Sequence, residues 1–173
     1  MVKKFEQEKK PNMDGVNLLV SILVCYPEIG TISIEPKDDS LKMTFVLGKV
    51  PETGEFEATK EFILNSILTY HTLEGFENAE IQISLNQQDS VAFINILRDM
   101  NTISKGEIAL ISTLMKEHFG TILVSDASEE DAEEADMIQD EFIDHMIGSM
   151  KINHASEKLV GIREDGRVMV FNK

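Results

Sequence analysis

The chain has no tryptophan, one cysteine and little positive charge: 16 lysines and arginines stand against 31 aspartates and glutamates in 173 residues. Each shortage excludes something. A single cysteine, Cys25, rules out an intramolecular disulfide framework and is compatible with a reducing compartment, so the expected location is cytoplasmic. A formal net charge of −15 disfavours nucleic acid as a partner, because attraction to phosphate would have to overcome it. The apolar run from Val16 to Cys25 is shorter than the roughly 20 residues that span a bilayer. It is interrupted by Asn17 and Ser21 and ends in Cys25-Tyr26-Pro27-Glu28 with no small-residue cleavage pattern. Despite Lys3, Lys4, Lys9 and Lys10 ahead of it, the run therefore reads as an amphipathic helix, neither a signal peptide nor a membrane anchor.

What is present is the composition of a folded chain, with a hydrophobic fraction of 42% and a charged fraction of 27%. The length suffices for a substantial core without a metal or disulfide. Residues 1–11 are expected to be a flexible tail and 12–173 a single α+β domain. Val16, Leu18, Leu19, Ile22 and Leu23 mark a first helix capped by Asn12 or Asp14 and ended by Pro27. Two strands follow, Thr31 to Glu35 and Leu41 to Leu47, joined through Pro36 to Ser40. Phe62, Ile63, Ile67 and Tyr70 recur at helical spacing from about Phe56 to Leu73, and Gly75 supplies a left-handed stop.

Ala79, Ile81, Ile83 and Leu85 then alternate as a strand with one wet face. Val91, Ile94 and Leu97, with Phe93 and Met100, are read at a period near 3.6 as a short helix capped by Asp89 or Ser90. Ser104-Lys-Gly-Glu107 is a capping-box pattern opening a helix closed by Gly120. Thr121 to Val124 reads as an inner strand. At the end, Val160 and Ile162 pair with Val168 and Val170 about Asp165-Gly166, a two-residue hairpin signal. The expected architecture is thus a mixed sheet, or sheets, of about six strands with about five helices. A helix plus hairpin at each end suggests two similar lobes, 12–100 and 104–173.

Between Lys116 and Lys151 no basic residue occurs, while Asp126, Glu129, Glu130, Asp131, Glu133, Glu134, Asp136, Asp140, Glu141 and Asp144 crowd together. Ala135, Ile138, Phe142, Met146 and Met150 fall on one face at helical spacing, so the stretch from Ser128 to about Lys151 is expected to be an amphipathic helix. The helix dipole favours carboxylates only in the first turn, and Asp136, Asp140 and Asp144 form a row of like charges. Two readings follow: a solvated face, or a docking surface for a basic protein.

No sequence motif carries chemistry. Asp126-Ala-Ser-Glu-Glu-Asp131 resembles the start of a calcium loop, but Asp131 replaces the required glycine and Met137 the closing glutamate. Gly54 to Lys60 lacks the second glycine of a phosphate loop. Neither CxxC nor HExxH occurs, and no cofactor is expected. Glu134, Glu141 and His145 line one flank of the acidic helix as weak metal candidates. His71 and His118 fall near helix C-termini and read as structural, and Cys25 reads as core.

Arg163 and Arg167 flank the last turn, where they can grip an anion, guard a sheet edge or pair with the acidic helix. The leading expectation is a small interaction or regulatory protein that docks a basic protein partner through Glu129, Glu130, Glu133, Glu134, Asp136 and Asp140, with Arg163 and Arg167 as a companion surface. The alternative is a divalent-metal-dependent enzyme built from dispersed carboxylates and histidines. Self-association through the apolar first helix, giving a homo-oligomer, is a third reading.

Overall fold

A computed structural model describes residues 13–125, 133, 135, 137, 138 and 140–172. The described elements run α1 (Met13–Cys25), β1 (Thr31–Glu35), β2 (Ser40–Leu47), α2 (Thr53–Glu74), β3 (Ile81–Gln88), β4 (Val91–Asp99), α3 (Lys105–Phe119), α4 (Asp140–Ile152), β5 (Leu159–Glu164) and β6 (Arg167–Asn172). The expected N-terminal tail lies outside the described residues.

The α+β expectation holds, but one six-stranded sheet replaces the two lobes, in the order β3-β4-β2-β1-β5-β6. Every neighbouring pair is antiparallel, so the sheet is not mixed. β1 lies between its own hairpin partner β2 and β5 from the far end of the chain. This cross-pairing joins the N-terminal and C-terminal hairpins into one layer.

One face of that layer is the core. Leu41, Met43, Phe45 and Leu47 of β2 stand opposite Arg98, Ile96, Ile94 and Ala92 of β4, and all are buried. Ile32 and Ile34 of β1 continue the row. α1 covers β1, β5 and β6, while α2 reaches β3 and α3, and α4 packs on α1 and α3. Leu18, Leu19, Ile22 and Leu23 of α1 are fully buried here, so the apolar face of this helix is occupied within its own chain. The approach is close enough to need a glycine. A Cβ on Gly161 of β5 would lie 3.0 Å from Leu23 Cδ1 and 3.4 Å from Leu19 Cβ. On the opposite face Lys42, Gln82, Ser84 and Asn86 are exposed, and Thr44 Oγ1 donates to Asn95 Oδ1 at 2.8 Å.

Three expectations are corrected. Residues 91–99 form the strand β4, not a helix, because burial alternates strictly at Ala92, Ile94, Ile96 and Arg98. Val91, Phe93 and Leu97 also place apolar side chains on the open, half-buried face, and these made a helical period fit as well. Asp89 is not a helix cap: its φ of 56° places it in the turn between Gln88 and Val91. Thr121 to Val124 makes only an isolated bridge, Leu47 to Leu123.

The acidic helix is also set differently. Ile138 lies at a bend, and the buried stripe beyond it is Ile143, Met146, Ile147 and Met150, while Phe142 is exposed. Met146 and Met150 of the expected stripe are buried, and of its members Phe142 alone is exposed, with Ile143 and Ile147 on the core side in its place.

Arg163 belongs to the core face of β5. Its Nη2 donates to the carbonyls of Leu23 at 2.7 Å and Ile29 at 3.1 Å, where α1 ends and its carbonyls have no helical partner. Arg163→Ala is expected to lower stability by about 1–3 kcal/mol in chemical denaturation, with faster amide exchange in the last turn of α1.

Candidate functional site

A strand that keeps alternating into the core must bury whatever falls at the next even position, and in β4 that residue is Arg98, 1% exposed. Burying an isolated guanidinium is costly, so partners are required. They come from its strand neighbour Asp99 and from other segments. Glu107, on the first turns of α3 and itself fully buried, accepts Arg98 Nε at 2.5 Å and Nη2 at 2.8 Å, a two-point grip. Asp99 Oδ1 accepts Nη1 at 2.5 Å, and the Glu80 carbonyl accepts the same nitrogen at 2.8 Å. Thr102 Oγ1 accepts Nη2 at 2.9 Å. Asp99 in turn receives the backbone N–H of Glu80 at 2.8 Å and of Thr102 at 3.0 Å.

His71, in the last turn of α2, completes the cluster. Its Nε2 contacts Glu107 Oε1 and lies 3.1 Å from Arg98 Nη2. Its buried Nδ1 has no hydrogen-bond partner. Phe76 packs edge-on against this ring at 5.8 Å between centroids.

Burial works against the charge on Arg98, but Glu107 and Asp99 outweigh it and hold the guanidinium above its ordinary value. For Asp99, burial pushes the carboxyl up, and the Glu80 N–H, Thr102 and Arg98 together overcome it and hold it below its ordinary value. The capping-box pattern is thereby half used. Ser104 Oγ accepts the Glu107 N–H at 3.3 Å, while the Glu107 side chain goes to Arg98.

In front of the cluster lies an open cleft of about 530 Å³, where the end of α2, the start of α3 and α4 meet. Its walls include Tyr70, Phe76, Glu74, Glu141, Asp144 and Lys151. Tyr70 Oη meets Ser104 Oγ at 3.2 Å. Asp144 Oδ1 accepts the Lys105 N–H at 2.8 Å, tying α4 to the positive end of α3.

Compared with known proteins, the chain matches no family model, no curated protein and no solved structure.

The structure separates the residues singled out in the sequence. Glu129, Glu130, Glu134 and Asp136 lie outside the described residues. Glu133 is helical and exposed, Asp140 opens α4, and Glu141 and His145 are exposed on α4. Arg167 is exposed near the last turn, but Arg163 is engaged with the end of α1 and stands across from Val168. Among the described residues no three His, Cys, Asp or Glu side chains are grouped closely enough to hold a metal. The Arg98 cluster was missed because reading residues 91–100 as a helix removed Arg98 from the core face. The available signal was period-two alternation ending on an arginine.

Arg98→Met is expected to cost about 3–5 kcal/mol, since it strands two carboxylates and a histidine. Adding Glu107→Leu should recover part of that loss in the same urea titration. A second expectation concerns pH. Because the folded-state pKa of Asp99 is depressed, its contribution is present above the unfolded value of about 3.9. It is lost as pH falls through the lower folded value. Asp99→Asn should therefore be less stable than wild type at neutral pH, with a shallower loss of stability in acid.

Proposed function

We propose that the protein is a small interaction or regulatory protein that docks a basic protein partner on the face carrying α4 and the acidic stretch before it. The observation that supports this most is the cleft at the base of α4. There the Glu74, Glu141 and Asp144 carboxylates and the rings of Tyr70 and Phe76 share one wall set with Lys105 and Lys151. Carboxylates beside aromatic faces suit a lysine or arginine side chain, which gains both an ion pair and a cation–π contact. The rest of the acidic surface acts at longer range. A net charge of −15 steers basic surfaces toward the chain and raises the association rate, an effect that salt screens.

The proposal assigns the same partner Glu129, Glu130, Glu133, Glu134, Asp136 and Asp140, with Arg167 as a companion contact. Arg163, bound to the end of α1, is left out. A protein of this kind works in the cytoplasm without a cofactor.

The test is titration with a lysine- and arginine-rich peptide at low and at physiological salt. Glu74→Gln with Glu141→Gln should weaken binding at both salt concentrations. Replacing Glu129, Glu130, Glu133 and Glu134 by glutamine should weaken it mainly at low salt, by about tenfold or more, or at least 1.4 kcal/mol. Equal binding by all three proteins at low salt would overturn the proposal.

A further inference from the structure

The C-terminal hairpin leaves a row of backbone groups without partners. Asp165 and Gly166 both have positive φ, 52° and 75°, in a two-residue turn that closes on the pair Glu164 and Arg167. In an antiparallel ladder such a closing pair exchanges both of its hydrogen bonds, and bonded pairs then alternate. Met169 and Phe171 therefore bond back to Ile162 and Val160, while Val168, Val170 and Asn172 turn their N–H and C=O groups away from β5. Among the described residues nothing pairs with that outward row.

Edge strands normally carry a guard against pairing, such as proline, an inward charge or a bulge. From Val168 to Asn172 there is no proline and no charged residue, and the register with β5 is unbroken. Arg163 stands on the helix-covered face and caps α1, so it does not guard this edge, and the exposed Arg167 sits at the turn end of β6, outside that stretch. On the uncovered face Met169 and Phe171 are each 41% exposed, beside the half-buried Ile162 and Val160. The other edge differs, since β3 presents Gln82, Ser84, Asn86 and Gln88 to solvent.

We infer that two copies of this chain pair antiparallel along β6, joining their six-stranded sheets into one continuous sheet. The strand is self-complementary. In a register centred on Val170, every outward N–H and C=O of Val168, Val170 and Asn172 finds a partner. Met169 of each copy then faces Phe171 of the other, a thioether–aromatic contact. Charge does not oppose this edge. The hairpin region is close to neutral, with Lys158, Arg163 and Arg167 against Glu157, Glu164 and Asp165, so two copies of a chain of net charge −15 repel each other less along it than across the acidic α4 side.

One short strand pair buries less than the ~1,200 Å² of a standard interface. The dimer is therefore weak and concentration-dependent.

Sedimentation equilibrium from micromolar to near-millimolar protein should show the average mass rising toward twice that of the monomer. Met169→Glu with Phe171→Glu places like charges opposite one another across the pair, and should raise the dissociation constant at least about tenfold. Ser84→Glu with Asn86→Glu adds the same charge at the β3 edge and should leave association unchanged. Amide exchange on the unaltered chain gives an independent readout. The Val168 and Val170 N–H groups should become protected as concentration rises, and those of Ile83 and Leu85 should not. A monomer at all concentrations, association unchanged by the β6 substitutions, or exchange at Val168 independent of concentration would each overturn the inference.

Discussion

Everything around the α2–α3–β4 junction depends on how one guanidinium is kept charged inside the protein. Arg98 is buried from solvent, so each of its nitrogens is met by an oxygen of the protein. Glu107 supplies two of these, and Asp99, Glu80 and Thr102 supply the rest. Apolar contacts would let α2 and α3 slide over the sheet at small cost, because dispersion and burial have no direction. Planar bidentate hydrogen bonds do have direction, and they fix where α3 begins and where the last turn of α2 lies. The walls of the cleft are thus set by a polar core, with Tyr70 and Phe76 next to His71 on one side and Ser104 next to Glu107 on the other.

The same comparison separates stability from specificity. A buried ion cluster of this kind is weak evidence for net stabilisation, since burying the charges offsets most of their attraction. Its effect is to make misdocked arrangements costly, because any displacement of α3 leaves carboxylates and a guanidinium without partners. Asp144 extends this logic to α4 through the Lys105 N–H. The helix α4 is held beside the cleft by a carboxylate placed where a helix begins, and Glu141 stays exposed in the cleft wall.

Much of this fold was legible in the sequence, and the failures have physical reasons. Strands with one wet face, such as Ile81 to Leu85, betray themselves by alternation, and the Asp165-Gly166 turn announces its hairpin through the need for positive φ. β4 did not, because Val91, Phe93 and Leu97 put apolar side chains on its open face too and remove the period-two contrast in hydrophobicity. Reading it as a helix then hid Arg98, the residue on which the buried cluster is built. The partnership of Arg98 with Glu107 and His71 was beyond the reach of spacing altogether, since it joins residues far apart in the chain through the packing of α2 and α3. The acidic run was visible as charge, and so were Met146 and Met150 on its buried face, although Ile143 and not Phe142 completes that face.

The order of strands in the sheet has a consequence for how the chain acquires its shape. β1 is made well before one of its two neighbours, β5, which is drawn from residues 159–164, so its second edge stays open until more than a hundred further residues have been synthesised. The same holds for α1, whose C-terminus waits for Arg163 and whose approach to the sheet waits for Gly161. Pairings this distant along the chain form slowly because the loop between them must close first. During that interval the early hairpin offers an unpaired apolar strand to any neighbouring nascent chain, so prompt delivery of the last hairpin governs how much polypeptide reaches the native sheet.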